Sequence, residues 1–203
     1  KFGFLKATSD PSEIINNPEI SAVIIATRHN THAKFSIEAL KAGKHVFVEK
    51  PLALNLDDIS KVEDAHNTSN KLLMVGFNRR FSPQINTMKK LLSIVKSPKC
   101  FVMVMNSGKI DSSHWTQDPR LGGGRIIGEA CHHIDLMRYL ANAPIASISA
   151  KSIGQTKYEK ITLDKASITI SFEDGSLGTI HYFANGAKNF MKERIEVFTD
   201  GRT

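Results

Sequence analysis

Three segments of the chain hold residue types and spacings able to do chemistry. The first is Ala26-Thr27-Arg28-His29-Asn30-Thr31-His32, lying between an apolar β-branched run and a helical pattern. Ligands of open α/β sheets bind at the carboxyl ends of strands, where helix N-termini offer free amides to phosphate. Thr27 and Asn30 can hydrogen-bond ribose or phosphate oxygens there; a plainer reading makes Asn30 or Thr31 only a helix cap. The second segment is Glu49-Lys50-Pro51. Pro51 fixes its own φ and biases Lys50 to extended geometry, so the lysine projects from a rigid turn. It can hold a substrate hydroxyl or shuttle its proton, or simply pair with Glu49 at the surface. The third segment, Gly122 to Asp135, opens with three glycines and continues to Glu129, His132 and His133. Glycines permit an unusual backbone path close to a ligand. On an α-helix Glu129 lies beside both histidines, and a carboxylate that orients an imidazole makes a better general base than a lone histidine. The bland alternative is a polar helix face with one histidine packed on a sheet. No third ligand has zinc spacing, and no metal is expected.

The elements that must position these residues follow from pattern. Ala22 to Ala26, His45 to Glu49 and Leu72 to Gly76 read as strands, the first as a run buried on both faces of a parallel sheet. Between them, Thr31 to Ala42 is an amphipathic helix with Ala33, Ile37 and Leu40 inward and Gly43 as its C-cap. Asn55 caps a second helix with Asp57 and Asp58 in its first turn, running to about Asn70. Alternation of strand and helix requires crossovers, hence a parallel sheet with helices on its faces. The chain opens on what reads as the end of a helix.

Beyond Asn78 the pattern changes. Phe81 to Val95 and Arg125 to Leu140 read as helices. Cys100 to Met105, Ile145 to Ile153, Ile161 to Phe172, Leu177 to Phe183 and Arg194 to Thr199 read as strands, and Gly108 to Gly124 as a loop. Glu173-Asp174-Gly175-Ser176 is a hairpin turn. The expected fold class is α/β followed by α+β: a remnant of a Rossmann-like parallel sheet over 1–77, then a mostly antiparallel sheet domain over 78–203. The ends read as cut, since Asp200-Gly201 is a turn that normally leads into a partner strand and no G-x-G-x-x-G occurs.

Composition sets the outer bounds. The 203 residues are 41% hydrophobic and 23% charged, a globular balance. There is no long apolar span and no signal-peptide core at Lys1 to Phe4, so a soluble protein is expected with no membrane partner. Two cysteines, Cys100 and Cys131, form no disulfide framework, and a reducing, cytoplasmic setting is the default. Net charge is +7, all of it from residues 77–203, where eighteen basic side chains face eleven acidic ones. These are spread singly apart from Arg79-Arg80 and Lys89-Lys90, which speaks against nucleic acid and for an anionic small ligand or a solvated surface.

Taken in order, residues 26–32, the run Glu38 to Ala53 with its Glu-Lys-Pro, the segment Val75 to Phe81, and Gly-Gly-Gly with downstream His132 and Asp135 resemble the glucose-fructose oxidoreductase / inositol dehydrogenase (Gfo/Idh/MocA) family. The likeness spans about Ser9 to Asp200 and is strongest to a subgroup of polysaccharide-associated sugar dehydrogenases, some fused to a zinc-type dehydrogenase half. It implies an oxidoreductase that passes hydride from a secondary alcohol of a sugar, sugar nucleotide or cyclitol to NAD or NADP. It further implies that Thr27, Asn30, His32, Glu49, Lys50, Pro51 and Arg79 line the cofactor, with Lys50 and His132 catalytic. Gly128 stands where the family commonly has an aspartate, and Glu129 is the candidate replacement. Trp115, Arg125 and His133 join Lys50 and His132 as candidate substrate contacts. With the family's glycine-rich turn not in this sequence, weak cofactor binding is expected of the chain alone. The resemblance also implies homo-oligomers formed through the antiparallel sheet. Two rival readings are a glycoside hydrolase of the same superfamily, which oxidises and re-reduces its substrate on a held cofactor, and a non-catalytic sheet-mediated assembly module.

Overall fold

The computed structural model describes residues 3–158 and 164–203, and the chain divides into two compact units, Lys1–Gly76 and Phe77–Thr203.

In the first unit, strands β1 (Ala22–Ile25), β2 (His45–Val48) and β3 (Leu73–Val75) form a parallel sheet in that order. The intervening helices are α2 (His32–Lys41) and α3 (Leu56–Ser69). Their ends follow the local chemistry. The Asn55 side chain accepts from the Asp58 amide at 2.8 Å, and Asn70 closes α3 at φ 51°. Gly43, one residue past the cap of α2, has φ 74°. A short helix α1 (Pro11–Ile15), capped by Asp10, precedes the sheet. It was not anticipated, and the described residues ahead of it are not helical, contrary to the expected helix end at the start of the chain.

Another expectation fails in the first unit. Val23, Ile25, Val46 and Val48 pack with Ala39, Leu40 and Ala65, so one sheet face is covered by α2 and α3. Ile24 is 78% exposed and Met74 46% on the other face. The strand therefore alternates instead of being buried on both sides. A β-branched run signals strand, but burial depends on how many layers flank it, which the run itself does not encode.

The second unit is a five-stranded sheet in the order β5 (Ile145–Ser152), β6 (Lys165–Phe172), β7 (Leu177–Phe183), β4 (Cys100–Asn106), β8 (Glu193–Phe198). Every pairing is antiparallel except β4 with β7, which is parallel. The β6–β7 hairpin turns at Gly175, φ 83°. The part of the expected strand over 161–163 lies outside the described residues. Helices α4 (Pro83–Ser93) and α5 (Cys131–Ala141) cover one face, where Phe101, Met103, Met105, Ile168, Ile170 and Ile180 meet Leu136, Met137 and Leu140. The helix expected from Arg125 is not uniform: Ile126–Ala130 is a π-helical turn leading into α5. A wider turn changes the local spacing of side chains, and Glu129 still lies near enough to act electrostatically on His133.

Candidate functional site

In the first unit the candidate residues gather at the carboxyl end of the parallel sheet. Thr27 is exposed; its hydroxyl lies 2.6 Å from that of Thr31, which donates to the Arg28 carbonyl at 2.7 Å. Asn30 is exposed in a 3-10 turn, His29–Thr31, which opens α2. Thr31, not Asn30, occupies the cap position of α2, and its side chain makes no capping bond there. That leaves Thr27 and Asn30 facing solvent at a strand end.

His32 has a different task from the one the resemblance implies. It is 1% exposed, with Nδ1 2.8 Å from the Pro51 carbonyl oxygen and Nε2 3.0 Å from that of Thr27. Both oxygens can only accept, so a neutral ring donates to one and lies against the other; the buried imidazole packs between the loop after β1 and the loop after β2. Glu49 and Lys50 are half-buried at the end of β2, Pro51 is buried, and the Lys50–Pro51 peptide is cis. The Glu49 carboxylate lies over Gly76, where a Cβ would come within 3.0 Å of Oε2.

In the second unit His132 is the centre of the candidate site. It lines a cleft of about 490 Å³ with Asn78, Arg79, Phe81 and Ser82, and its ring meets Phe77 edge-on at 6.1 Å. The segment Asn78–Phe81 is a 3-10 turn pinned to α5 by a bidentate pair: Arg80 donates from Nε to Asp135 Oδ2 at 2.7 Å and from Nη2 to the other oxygen. This bond raises the Arg80 pKa further, against burial. Arg79 Nη1 reaches Glu193 Oε2 at 2.5 Å. Burial alone would raise the Glu193 carboxyl, but the Arg79 hydrogen bond and charge outweigh it and hold the group below the usual range.

His133 points away from this cleft. It is 3% exposed beside the Tyr182 ring at 6.3 Å, and neither ring nitrogen has a hydrogen-bond partner among the described residues. Burial, and after it the Arg79 charge, push its pKa down to about 4. A neutral imidazole of that acidity is a poor proton acceptor near pH 7. The half-buried Glu129 acts electrostatically on His133 and on Tyr182. Arg125 is 8% exposed and spends its fork on backbone, donating to Gly108 O at 2.7 Å and Ser107 O at 3.2 Å while lying over Tyr182 at 5.6 Å. That anchors the start of the glycine loop instead of presenting a guanidinium to substrate.

Gly123 and Gly124 have φ of 74° and 78°, and a Cβ on Gly122 would fall 2.3 Å from Thr116 Cα. The triple glycine therefore serves close backbone packing within the loop. Trp115 is half-buried in a 3-10 turn and is not among the residues lining the His132 cleft. Glu193, Asn78, Phe81 and Ser82 were not singled out from sequence. The last three sit inside the noted Val75 to Phe81 motif or just after it, whereas Glu193, over a hundred residues on, carries no local signal.

A parallel α/β unit with polar loops at its strand ends, joined in sequence to a mixed-sheet unit with a histidine cleft, defines the class: a Rossmann-like α/β unit followed by an α+β unit. Two family models match accordingly. Residues 1–77 match the oxidoreductase family, NAD-binding Rossmann fold, and residues 99–202 match the GFO/IDH/MocA C-terminal domain. The chain belongs to the Gfo/Idh/MocA oxidoreductase family. It is 30% identical to a myo-inositol 2-dehydrogenase of Thermotoga maritima over 205 residues, covering 98% of this chain and 60% of that protein. It is 30% identical to a scyllo-inositol 2-dehydrogenase (NAD(+)) of Bacillus subtilis over 183 residues, 89% of this chain and 53% of the relative. Among solved structures, levoglucosan dehydrogenase in complex with NADH and levoglucosan superposes with a TM-score of 0.84 at 27% identity, covering 98% of this chain and 57% of that one. The chain thus spans somewhat over half the length of the relatives it matches.

Proposed function

We propose that this chain carries the reacting half of a nicotinamide-dependent dehydrogenase acting on a secondary alcohol of a sugar, sugar nucleotide or cyclitol. The observation that carries this reading is His132 lining a polar cleft with Asn78, Arg79 and Ser82, in a chain whose β2 ends in Glu49-Lys50-Pro51. Relatives named as inositol and levoglucosan dehydrogenases support the substrate class.

The exposed Thr27 and Asn30 suit the cofactor's ribose and phosphate oxygens, and Glu49 and Lys50 suit its nicotinamide end. A bound nicotinamide supplies the hydride acceptor. The chain's own part is acid–base and electrostatic. In the second unit His132 is suited to accept a hydroxyl proton, and in the first unit the Lys50 ammonium is suited to stabilise developing negative charge. His133, held neutral by burial, takes no proton near pH 7. Glu129 is the residue that stands in for the family's aspartate, acting as a positioning carboxylate. His32 and Arg125 act through the backbone they hold.

Self-association is assigned to the sheet face opposite the helices, where Ser149, Thr169, Thr179, Val102 and Glu196 lie in register across the five strands. No helix among the described residues is long and apolar enough to cross a membrane, and Cys100 and Cys131, neither in a disulfide, suit a reducing cytoplasm.

The test is an amide NMR titration with NADH and, separately, with myo-inositol, alongside turnover by wild type and Lys50→Ala. NADH should perturb Thr27, Asn30 and Lys50, and myo-inositol should perturb Asn78, Ser82 and His132. Lys50→Ala should lose any turnover while its circular dichroism is unchanged. Perturbations confined to other surfaces, or turnover surviving in Lys50→Ala, would overturn the proposal.

A further inference from the structure

The basic excess of the second unit and the Arg79-Arg80 pair look, from sequence, like a receptor for an anionic ligand. The structure spends both guanidinium groups internally. Arg80 is bidentate on Asp135, whose side chain is only 9% exposed. Arg79, the only Lys or Arg among the described residues lining the His132 cleft, is paired with Glu193 at 2.5 Å, with side-chain exposures of 26% and 30%. Such a pair is far enough from bulk water for each charge to cancel much of the other's field. The groups acting on the neighbouring His133 are Arg79, Glu193, His132 and Glu129, one guanidinium against two carboxylates. Lys192 also acts on Glu193, but it is exposed and its field is screened. What remains on the cleft wall is the amide of Asn78, the hydroxyl of Ser82, and the ring of Phe81, which is 63% exposed. Amide and hydroxyl groups match sugar hydroxyls, and an exposed aromatic face matches the C–H face of a pyranose or cyclitol ring.

We infer that Glu193 is a specificity-determining residue: by holding Arg79 it makes the His132 cleft a receptor for an uncharged polyhydroxylated ring and turns away a substrate bearing a carboxylate. The inference rests on the dehydrogenase reading above and narrows its substrate class. Glu193 acts through Arg79 and need not touch the ligand. Removing its charge leaves Arg79 as a cation on the cleft wall without its ion-pair partner.

The experiment is a pair of NMR titrations, with myo-inositol and with D-glucuronate, on wild type, E193Q, E193D and the double variant R79Q/E193Q, at low ionic strength. Affinities are read from amides at Asn78, Ser82 and His132. Wild type should prefer myo-inositol by about tenfold or more. E193Q should shift the ratio of the two dissociation constants toward glucuronate by about tenfold. E193D should return the wild-type ratio, and R79Q/E193Q should abolish the gain. Wild type binding glucuronate as tightly as myo-inositol overturns the inference and needs no variant to fold. So does an E193Q ratio equal to that of wild type; in both cases the cleft keeps its role as substrate site. Silence of these amides toward both probes in wild type is a different result, and it overturns the reading of the cleft itself along with the inference.

Discussion

Acidification should unfold the second unit ahead of its carboxylates, through one imidazole. His133 has an ordinary value of 6.5 and is pushed to about 4 by burial and then by Arg79. The folded pKa is depressed, so between these values the unfolded chain binds a proton that the folded chain refuses. Stability contributed by the neutral ring is complete above pH 6.5 and falls as the pH drops toward 4. Linkage puts the loss at about 2 kcal/mol by pH 5 and about 3 kcal/mol by pH 4. At about 4 °C per kcal/mol for a domain of this size, the melting temperature should fall by about 8 °C between pH 7.5 and pH 5. The perturbation that isolates this is His133→Phe, similar in shape and without the two unpartnered nitrogens. It should be as stable as wild type or more so at neutral pH, because replacing unsatisfied buried polar atoms by carbon removes a desolvation cost. It should also lose most of the decline between pH 7 and pH 5. Carboxylates such as Glu193, also held low, lose their contribution only at more acid pH and are present in both proteins. Thermal melts across the pH series, with the His133 ring carbon-bound proton followed by NMR, supply the assay. A ring titrating near 6.5, or a His133→Phe protein with the wild-type pH slope, would refute the reasoning.

Two structural predictions accompany it. Asp135→Asn removes the negative charge and one of the two acceptor oxygens of the bidentate Arg80 bond and should cost about 2 kcal/mol in urea unfolding, since the guanidinium is left partly buried without its counter-charge; an unchanged midpoint would show that the charge in the clamp on the Asn78–Phe81 turn contributes nothing. Gly122→Ala places a methyl 2.3 Å from backbone at Thr116 and should cost about 2 kcal/mol or more; wild-type melting would mean the loop yields freely.

How far these features could be read beforehand depends on the range of the interaction behind each. Asn55, Asp57 and Asp58 announce the start of α3 because a cap is a contact over three residues. The turn at Gly175 is equally local. The segment 26–32 and the triplet 49–51 were legible as strand-end loops for the same reason, since strand, turn and helix follow one another directly. The open face of β1 was not, because the cover of Ile24 depends on layers set elsewhere in the chain. The fate of Arg79 and Arg125 was not legible either. Each finds its partner at a distance, Glu193 and the Ser107–Gly108 carbonyls, and a sequence names a cation without naming what neutralises it. The π-helical turn at Ile126–Ala130 likewise hides from a 3.6-residue pattern.

The placement of β4 bears on how the protein is made. Its two neighbours in the sheet are β7 and β8, synthesised only after residues 177 and 193 have been added. A nascent chain carrying Phe101, Met103 and Met105 must therefore keep an apolar strand unpaired through most of the translation of this unit, until its edges can be claimed together. Ribosome pausing or holdase binding in that interval would act on this one strand, and the productive yield in a cell would be decided there, before the second unit has closed its sheet.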